Sequence, residues 1–386
     1  MNSVNNQKNS KVNSPKFPYQ RIVVKLGTSL ITGGSSHLDE NVMSDLMAQI
    51  AELNHKGLEL LIVSSGAVAA GRHKLGLGKT HGGVPYKQVF SAVGQSRLMS
   101  VYEKLFDKYD VTVAQALLTK ADLSDRSGYL NARNTLLALL ELRVLCIVNE
   151  NDVVAVDEIK EAKFGDNDNL SAMVANLVDA DLLLLLTDIG GLYTADPRRN
   201  SDAVLIPQVE RIDSKIEKLA ADTAGGLGVG GMITKIEAAK LATASGITVV
   251  IADGKEQNII LKIASGEAIG TCFQPLTNKL ESRKRWMISG LSTRGGLVVD
   301  SGASRALKKQ NGSLLASGIK GIEGEYQRGD VVTIYDEKDN VIGCGITNYS
   351  SADVRIIKGA HSDKITTLLG YDYGDEVVHR NNLVIL

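Results

Sequence analysis

The sequence predicts a doubly wound α/β domain followed by a small, β-rich domain, on three observations. Apolar runs without alternation, such as RIVVKL from residue 21 and ADLLLLLTDIGG from residue 180, mark strands covered on both faces of a parallel sheet. Between them lie stretches with apolar residues at helical spacing. Short polar residues collect just after the strands, which puts a site at the carboxyl ends of the sheet. Past the basic stretch ESRKRW at 281–286, short β-type runs are separated by turn pairs, and a small mixed barrel with one or two helices is expected.

Residues 21–26 form the first strand and end at Gly27, Thr28 and Ser29. Lys25 stands inside this buried pattern, where an ammonium is costly unless it reaches an anion or a cleft; the plainer reading is an edge lysine that snorkels to water. A helix over 41–56 carries Val42, Leu46, Met47, Ile50 and Leu53 at helical spacing and stops at Gly57. The run LELLIVSSGAVAAG then gives a strand, a Ser64-Ser65-Gly66-Ala67 turn and a helix of small residues suited to packing close on a sheet. A helix over 87–109, a strand over 112–118, a helix over 129–142 and the strand VLCIVNEND follow. Next come a helix opened by GDNDN, the strand ending in Thr187-Asp188, a helix around 215–221, and a glycine loop entering a helix that bears Lys235, with a closing strand. Gly226, Gly228 and Gly231 formally satisfy G-x-G-x-x-G, but no strand precedes the loop and no acidic residue follows at the ribose distance, so a dinucleotide fingerprint is rejected.

The totals exclude several classes. With 386 residues and 44% hydrophobic composition the chain can bury the core of two domains. A net charge of -1 argues against a coat for nucleic acid or anionic membrane. Residues 294–386 hold 11 Lys and Arg against 12 Asp and Glu, which weakens RNA binding by the second domain. Cys146, Cys272 and Cys344 are far apart and without metal spacing, so a reducing cytoplasm fits. No apolar run approaches the roughly 20 residues of a membrane span. Residues 1–18 lack the apolar core of a secretory signal and read as a disordered tail.

The stretch 149–171, NENDVVAVDEIKEAKFGDNDNLS, holds two clusters of amides and carboxylates: Asn149 to Asp152 and Asp166 to Asn169. Two Asn/Asp turns would explain each cluster alone, and a helix cap would explain one residue of the second. Taken with Lys25, Lys235, the glycine turns and Thr187-Asp188, they form an inventory suited to phosphoryl transfer, where a protein mainly positions groups and offsets charge. Asp168 could orient the lysines or hold magnesium. Without a nearby general-base histidine, the inventory suits an acceptor that is already anionic, such as a carboxylate.

The segments VVKLGTS, SSGAVAAG, NENDVVAVDEI with FGDNDNLSA, LLLLTDIGGLYTADPR and GVGGMITKIEAA resemble, in order, the motifs of the amino acid kinase family in its glutamate 5-kinase branch. The resemblance covers essentially the whole chain from residue 21. It implies a three-layer α/β/α sandwich over 19–280 with a mainly parallel sheet, a linker over 281–293 and a β-rich PUA-like barrel over 294–386. It implies ATP-dependent phosphorylation of the side-chain carboxylate of L-glutamate to L-glutamyl 5-phosphate, with Mg2+, at the start of proline synthesis. By position, Lys25 and Lys235 look like the lysines that stabilise the transferring phosphoryl and Asp168 like their organiser. Ser65, Asp152 and Asn167 match glutamate-binding positions, with Asp152 toward the substrate ammonium. Lys25, Gly27, Thr28, Thr187, Asp188, Val229, Gly230, Gly231, Met232, Ile233, Thr234 and Lys235 match the nucleotide contacts, and no residue is assigned to a metal. Proline is the implied feedback inhibitor, sensed by the loop between Asp152 and Asn167. That loop runs slightly longer here than the bacterial pattern. A homo-oligomer, dimer or tetramer, is expected. Because the acyl phosphate is prone to attack by its own amine, a glutamyl phosphate reductase is a fitting partner. The competing readings are a sister kinase for N-acetylglutamate, aspartate, carbamate or a nucleoside monophosphate, and an RNA-binding protein with a kinase-like scaffold.

Overall fold

The computed structural model describes residues 17–77, 83–155, 167–223, 231–276, 294–310 and 312–385. Eight strands form one sheet: β1 (Arg21–Leu26), β2 (Glu59–Ser64), β3 (Val113–Leu118), β4 (Leu145–Glu150), β5 (Leu182–Thr187), β6 (Gln208–Val209), β7 (Thr248–Asp253) and β8 (Thr271–Phe273). Their order is β3-β4-β2-β1-β5-β7-β8-β6. The first six in that order run parallel, while β8 returns antiparallel to β7. The central β1 is flanked by β2 on one side and β5 on the other, so a crevice for ligands opens at the carboxyl ends where the winding changes direction.

Helices cover both faces. Ile22, Val24 and Leu26 pack in one apolar layer with α2 (Glu40–His55), α4 (Val84–Asp107) and α10 (Ile259–Ala264). Val23 packs in the other, with α6 (Arg126–Glu141), α7 (Asn167–Leu177), α8 (Ser214–Thr223) and α9 (Met232–Ala244). Residues in a strand alternate faces, so Lys25 shares the face of Val23 and is directed toward α7 and α9. β5 is buried at all six positions, and each of its leucines contributes about 2 kcal/mol.

The expected elements appear with shifted ends. α4 begins at Val84 rather than 87, since Pro85 is favoured in a first turn. α6 begins at Arg126 rather than 129, capped by Asp125 and preceded by the short α5 (Lys120–Ser124). α3 (Ala67–Leu75) departs in its packing: its small residues meet α4 rather than the sheet. A Cβ on Gly71 would lie 1.8 Å from the Phe90 carbonyl oxygen, and one on Gly94 would lie 1.8 Å from that of Ala67. Residues 1–16 of the expected 1–18 tail, the 281–293 linker, and Gly226 and Gly228 lie outside the described residues, while Phe17 packs against the layer of Ile22, Val24 and Leu26.

The C-terminal domain has a five-stranded sheet in the order β11-β9-β12-β13-β15 and a two-stranded ladder of β10 with β14. The strands are β9 (Gly295–Val299), β10 (Leu314–Leu315), β11 (Ile319–Gly324), β12 (Val331–Asp336), β13 (Val341–Ile346), β14 (Glu376–Val378) and β15 (Leu383–Ile385). Among the described residues it carries three α-helices, α11 (Ser301–Gln310), α12 (Ser351–Ile357) and α13 (Ile365–Leu369), against the one or two expected. It docks on α6, where Leu130 packs against Val331, Cys344, Ile346 and Val384. No helix among the described residues is long and apolar enough to cross a membrane.

The α3–α4 contact yields a stability expectation. Gly94→Ala should lower stability by about 1–3 kcal/mol, since the methyl meets backbone that cannot yield without parting the helices. Thermal melting measures this, and an unchanged melting temperature would contradict the packing.

Candidate active site

One buried carboxylate holds the chemistry together. Asp168, fully buried, lies in the first turn of α7, where the helix dipole favours a negative charge. Lys25 Nζ is 2.6 Å from its Oδ1, and Lys235 Nζ is 3.1 Å from its Oδ2. Thr234 Oγ1 also donates to Oδ2, at 2.8 Å. Both lysines are buried. Two ammonium groups against one carboxylate leave the trio with one net positive charge. Both oxygens of Asp168 are thereby directed at ammonium groups.

The next residue back begins a chain of amides. Asn167 Nδ2 donates to the Ser64 carbonyl at 2.8 Å, to Ser65 Oγ at 3.0 Å and to Asn149 Oδ1 at 2.9 Å. Asn149 Nδ2 in turn donates to Gln95 Oε1 at 2.8 Å. The buried Gln95 Nε2 has no hydrogen-bond partner among the described residues, which makes it a donor in waiting at the end of the chain. One turn earlier on α4, Ser91 Oγ donates to Asp152 Oδ2 at 2.6 Å. Ser64 Oγ and Tyr102 OH meet at 2.7 Å beneath the turn, and burial pushes the Tyr102 phenol far up, so it stays neutral. Gly66 holds the turn in a left-handed conformation with φ 102°, and a Cβ there would lie 2.4 Å from Ile31 Cδ1.

The structure therefore gathers Lys25, Asp168, Thr234 and Lys235 in one group, and Ser65 and Asn167 in an adjoining one. Asp152 joins through α4. Thr28 begins α1 (Thr28–Ile31) just past the end of β1, with Gly27 as its N-cap. Thr187 ends β5, with Thr187 Oγ1 donating to Asp188 Oδ1 at 3.2 Å and Gly254 N donating to the Thr187 carbonyl at 2.8 Å. Gly231 caps α9 in an extended conformation, with Met232 and Ile233 in its first turn. Val229, Gly230 and Asp166 lie outside the described residues. α7 starts at Asn167, so Asn167 to Asn169 stand inside its first turn rather than before it.

Sequence reasoning missed Ser91 and Gln95. A signal existed: Ser91, Gln95, Leu98 and Tyr102 share one buried helical face, and polar side chains on such a face require partners. Cys146, three residues before Asn149, is no nucleophile, because burial pushes its thiol up to about 12.

Among the described residues no group of three His, Cys, Asp or Glu could hold a metal, and both Asp168 oxygens meet lysines. The arrangement fits an ion that keeps its waters and is carried by substrate phosphates.

Comparison with known proteins bears on the identity of this site. The profile of the Amino acid kinase family matches residues 20–253, and that of the PUA domain matches residues 295–369. The chain is 60% identical over 368 residues to the glutamate 5-kinase of Dehalococcoides mccartyi strain 195, covering 95% of this chain and 99% of that protein. It is 50% identical to that of Herpetosiphon aurantiacus over 366 residues, 95% and 98% of the two chains. With the glutamate 5-kinase of Shewanella oneidensis it shares 49% over 375 residues, covering 97% and 100%. A kinase match over more than half the chain and this identity along nearly all of it show that the chain belongs to the amino acid kinase family, in its glutamate 5-kinase branch with a C-terminal PUA domain.

Proposed function

We propose that the chain transfers the terminal phosphoryl of ATP to the side-chain carboxylate of L-glutamate, giving ADP and L-glutamyl 5-phosphate, the first step of proline synthesis. The buried Lys25–Asp168–Lys235 trio beside the amide chain is the observation that carries this reading. The kinase domain is taken as 19–280 and the PUA-like domain as 294–386.

A carboxylate oxygen of glutamate forms the new bond to phosphorus while the bond to the bridging oxygen breaks and leaves with ADP. The acceptor is already an anion, so no proton need be removed. Catalysis then consists of bringing two anions together and offsetting charge on the transferring group. Lys25 and Lys235 flank that group, and Asp168 holds both ammonium groups in fixed positions. Their charge is preorganised, with no long side chain left to search for its place. Magnesium, when bound to the ATP phosphates, neutralises part of the same charge. Thr187, Asp188 and the α9 entry from Val229 to Lys235 take the nucleotide, with Gly27 and Thr28 at the phosphates.

Ser65 and Asn167 receive the substrate from the sheet side, and Asp152 meets its ammonium, with Ser91 fixing the carboxylate. Gln95 Nε2 supplies a further donor on the same floor. Proline is proposed as the inhibitor of this site, sensed by the loop between Asp152 and Asn167, and a glutamyl phosphate reductase as the consumer of the product. A cytoplasmic setting suits that pairing.

The direct test is ADP release with MgATP and a panel of glutamate, aspartate, N-acetylglutamate, carbamate and a nucleoside monophosphate, each with and without proline. Glutamate alone should give turnover, reduced by proline; glutamate-independent release would sink the reading. Lys235→Ala should lower kcat roughly a hundredfold or more while glutamate KM moves little, because its partner is charge that develops in the transition state. A normal kcat with only a raised glutamate KM would contradict that role. Asp152→Ala should do the reverse, raising glutamate KM roughly tenfold or more with a smaller change in kcat, since it removes one charged contact to the bound substrate. Unchanged glutamate dependence would refute the ammonium contact.

A further inference from the structure

Helix α6 carries a buried cation that the phosphoryl chemistry does not use. Arg133 is only 2% exposed. Its guanidinium joins three segments. Nη1 donates to the carbonyl of Leu177, the last residue of α7, and Nη2 donates to Asp179 Oδ2 at 2.6 Å. From the C-terminal domain, the Asn381 carbonyl accepts from Nη2 at 2.6 Å and Asn382 Oδ1 accepts from Nε at 2.6 Å. A second arginine, Arg21 at the start of β1, donates to the carbonyl of Val178. Two cations thus sit on the C-terminal end of α7, where orphan carbonyls and the dipole favour them.

The other end of α7 is the active site. Its 11 residues make a rod about 16 Å long, beginning with Asn167 and Asp168. A helix of three turns moves as one body, so a shift at Leu177 is felt at Asp168. We propose that Arg133 is a positioning residue through which the docked C-terminal domain fixes α7, and with it Asn167 and Asp168. The planar fork of arginine makes this specific. Its donors point in set directions, and the C-terminal domain supplies two of the acceptors. Without those acceptors, buried N–H groups lose their partners, and the guanidinium gains by turning toward water and away from Leu177.

Among the described residues, the other side-chain hydrogen bonds and ion pairs between the domains reach α6. Arg126 pairs with Asp330, Arg328 Nη2 donates to Asn131 Oδ1 at 2.5 Å, and Asn382 Nδ2 donates to Asn134 Oδ1 at 3.2 Å. They hold the domain in place without touching the catalytic helix, and so provide a control.

The inference rests on the glutamate kinase reading, and its test separates the two. Full-length wild type, Asn382→Ala, Arg133→Lys and Arg126→Ala are compared at a temperature well below each melting point. Two things are measured: steady-state kinetics against glutamate and against MgATP, and amide hydrogen exchange of residues 167–177. Asn382→Ala removes the acceptor of Nε, together with the Asn134 contact, and leaves the Asn381 carbonyl on Nη2, while Arg133→Lys keeps the charge opposite Asp179 but loses the fork. Both should lower kcat roughly tenfold and raise glutamate KM with MgATP KM unchanged, because small misplacements of reacting groups cost this much. Exchange along α7 should quicken in both. Arg126→Ala should keep wild-type kinetics. A fall in melting temperature with kcat, both KM values and α7 exchange unchanged would reduce Arg133 to a structural contact and overturn the proposal. So would an equal kinetic loss in Arg126→Ala. Wild type without glutamate-dependent turnover would instead sink the kinase reading, while the exchange data would still judge the tie to α7.

Discussion

Asp168 is the constraint on which the rest depends. A carboxylate with no exposure is stable only if cations and donors surround it, and here two lysines and a threonine do so. The group draws on three elements: Lys25 from the end of β1, Lys235 and Thr234 from the first turn of α9, and Asp168 from the first turn of α7. Strand parity decides that Lys25 faces these two helices and not α2. A one-residue slip of β1 would carry the ammonium to the opposite apolar layer, where Ile22, Val24 and Leu26 now sit. The register of the sheet and the charge geometry of the site are therefore the same requirement.

Because Asn167 and Asp168 are consecutive, one helix start serves two tasks. Asn167 ties the amide chain to Ser65 on the β2 turn, and Asp168 ties the lysines. In the proposed reaction, the acceptor and the transferring phosphoryl are thus referenced to a single rigid element. Loops alone would give less precise spacing between two anions that repel.

Much of this is legible in sequence, and the failures have physical causes. β1 and β5 read correctly because strands buried on both faces lose all alternation. Lys25 stood out for the same reason, a charge where none should be. The packing of α3 is not legible because small residues signal close packing without saying against what; Gly71 and Gly94 meet across α3 and α4, more than twenty residues apart in the chain. Ser91 and Gln95 were passed over because serine and glutamine on a helix usually face water. The face of α6 that meets the C-terminal domain was invisible, since Arg126, Arg133 and Asn134 look like an ordinary solvated stripe. Their partners, Asp330, Asn382 and Asn348, lie some two hundred residues or more away.

That stripe also bears on the second domain. Its charge is near balance, and part of its sheet surface, at β12, β13 and β15, is taken up by Leu130 rather than left for a charged polymer. What it offers α6 is a set of directed acceptors. A buried arginine contributes little net stability over an apolar contact of the same size, because removing the guanidinium from water is costly. Its effect is to discriminate between arrangements: the docked pose satisfies Nε and Nη2 while Nη1 reaches Leu177. An interface built on Leu130 alone would tolerate rotation. The fork at Arg133 does not, and it transfers that intolerance to the end of the helix whose other end carries Asp168.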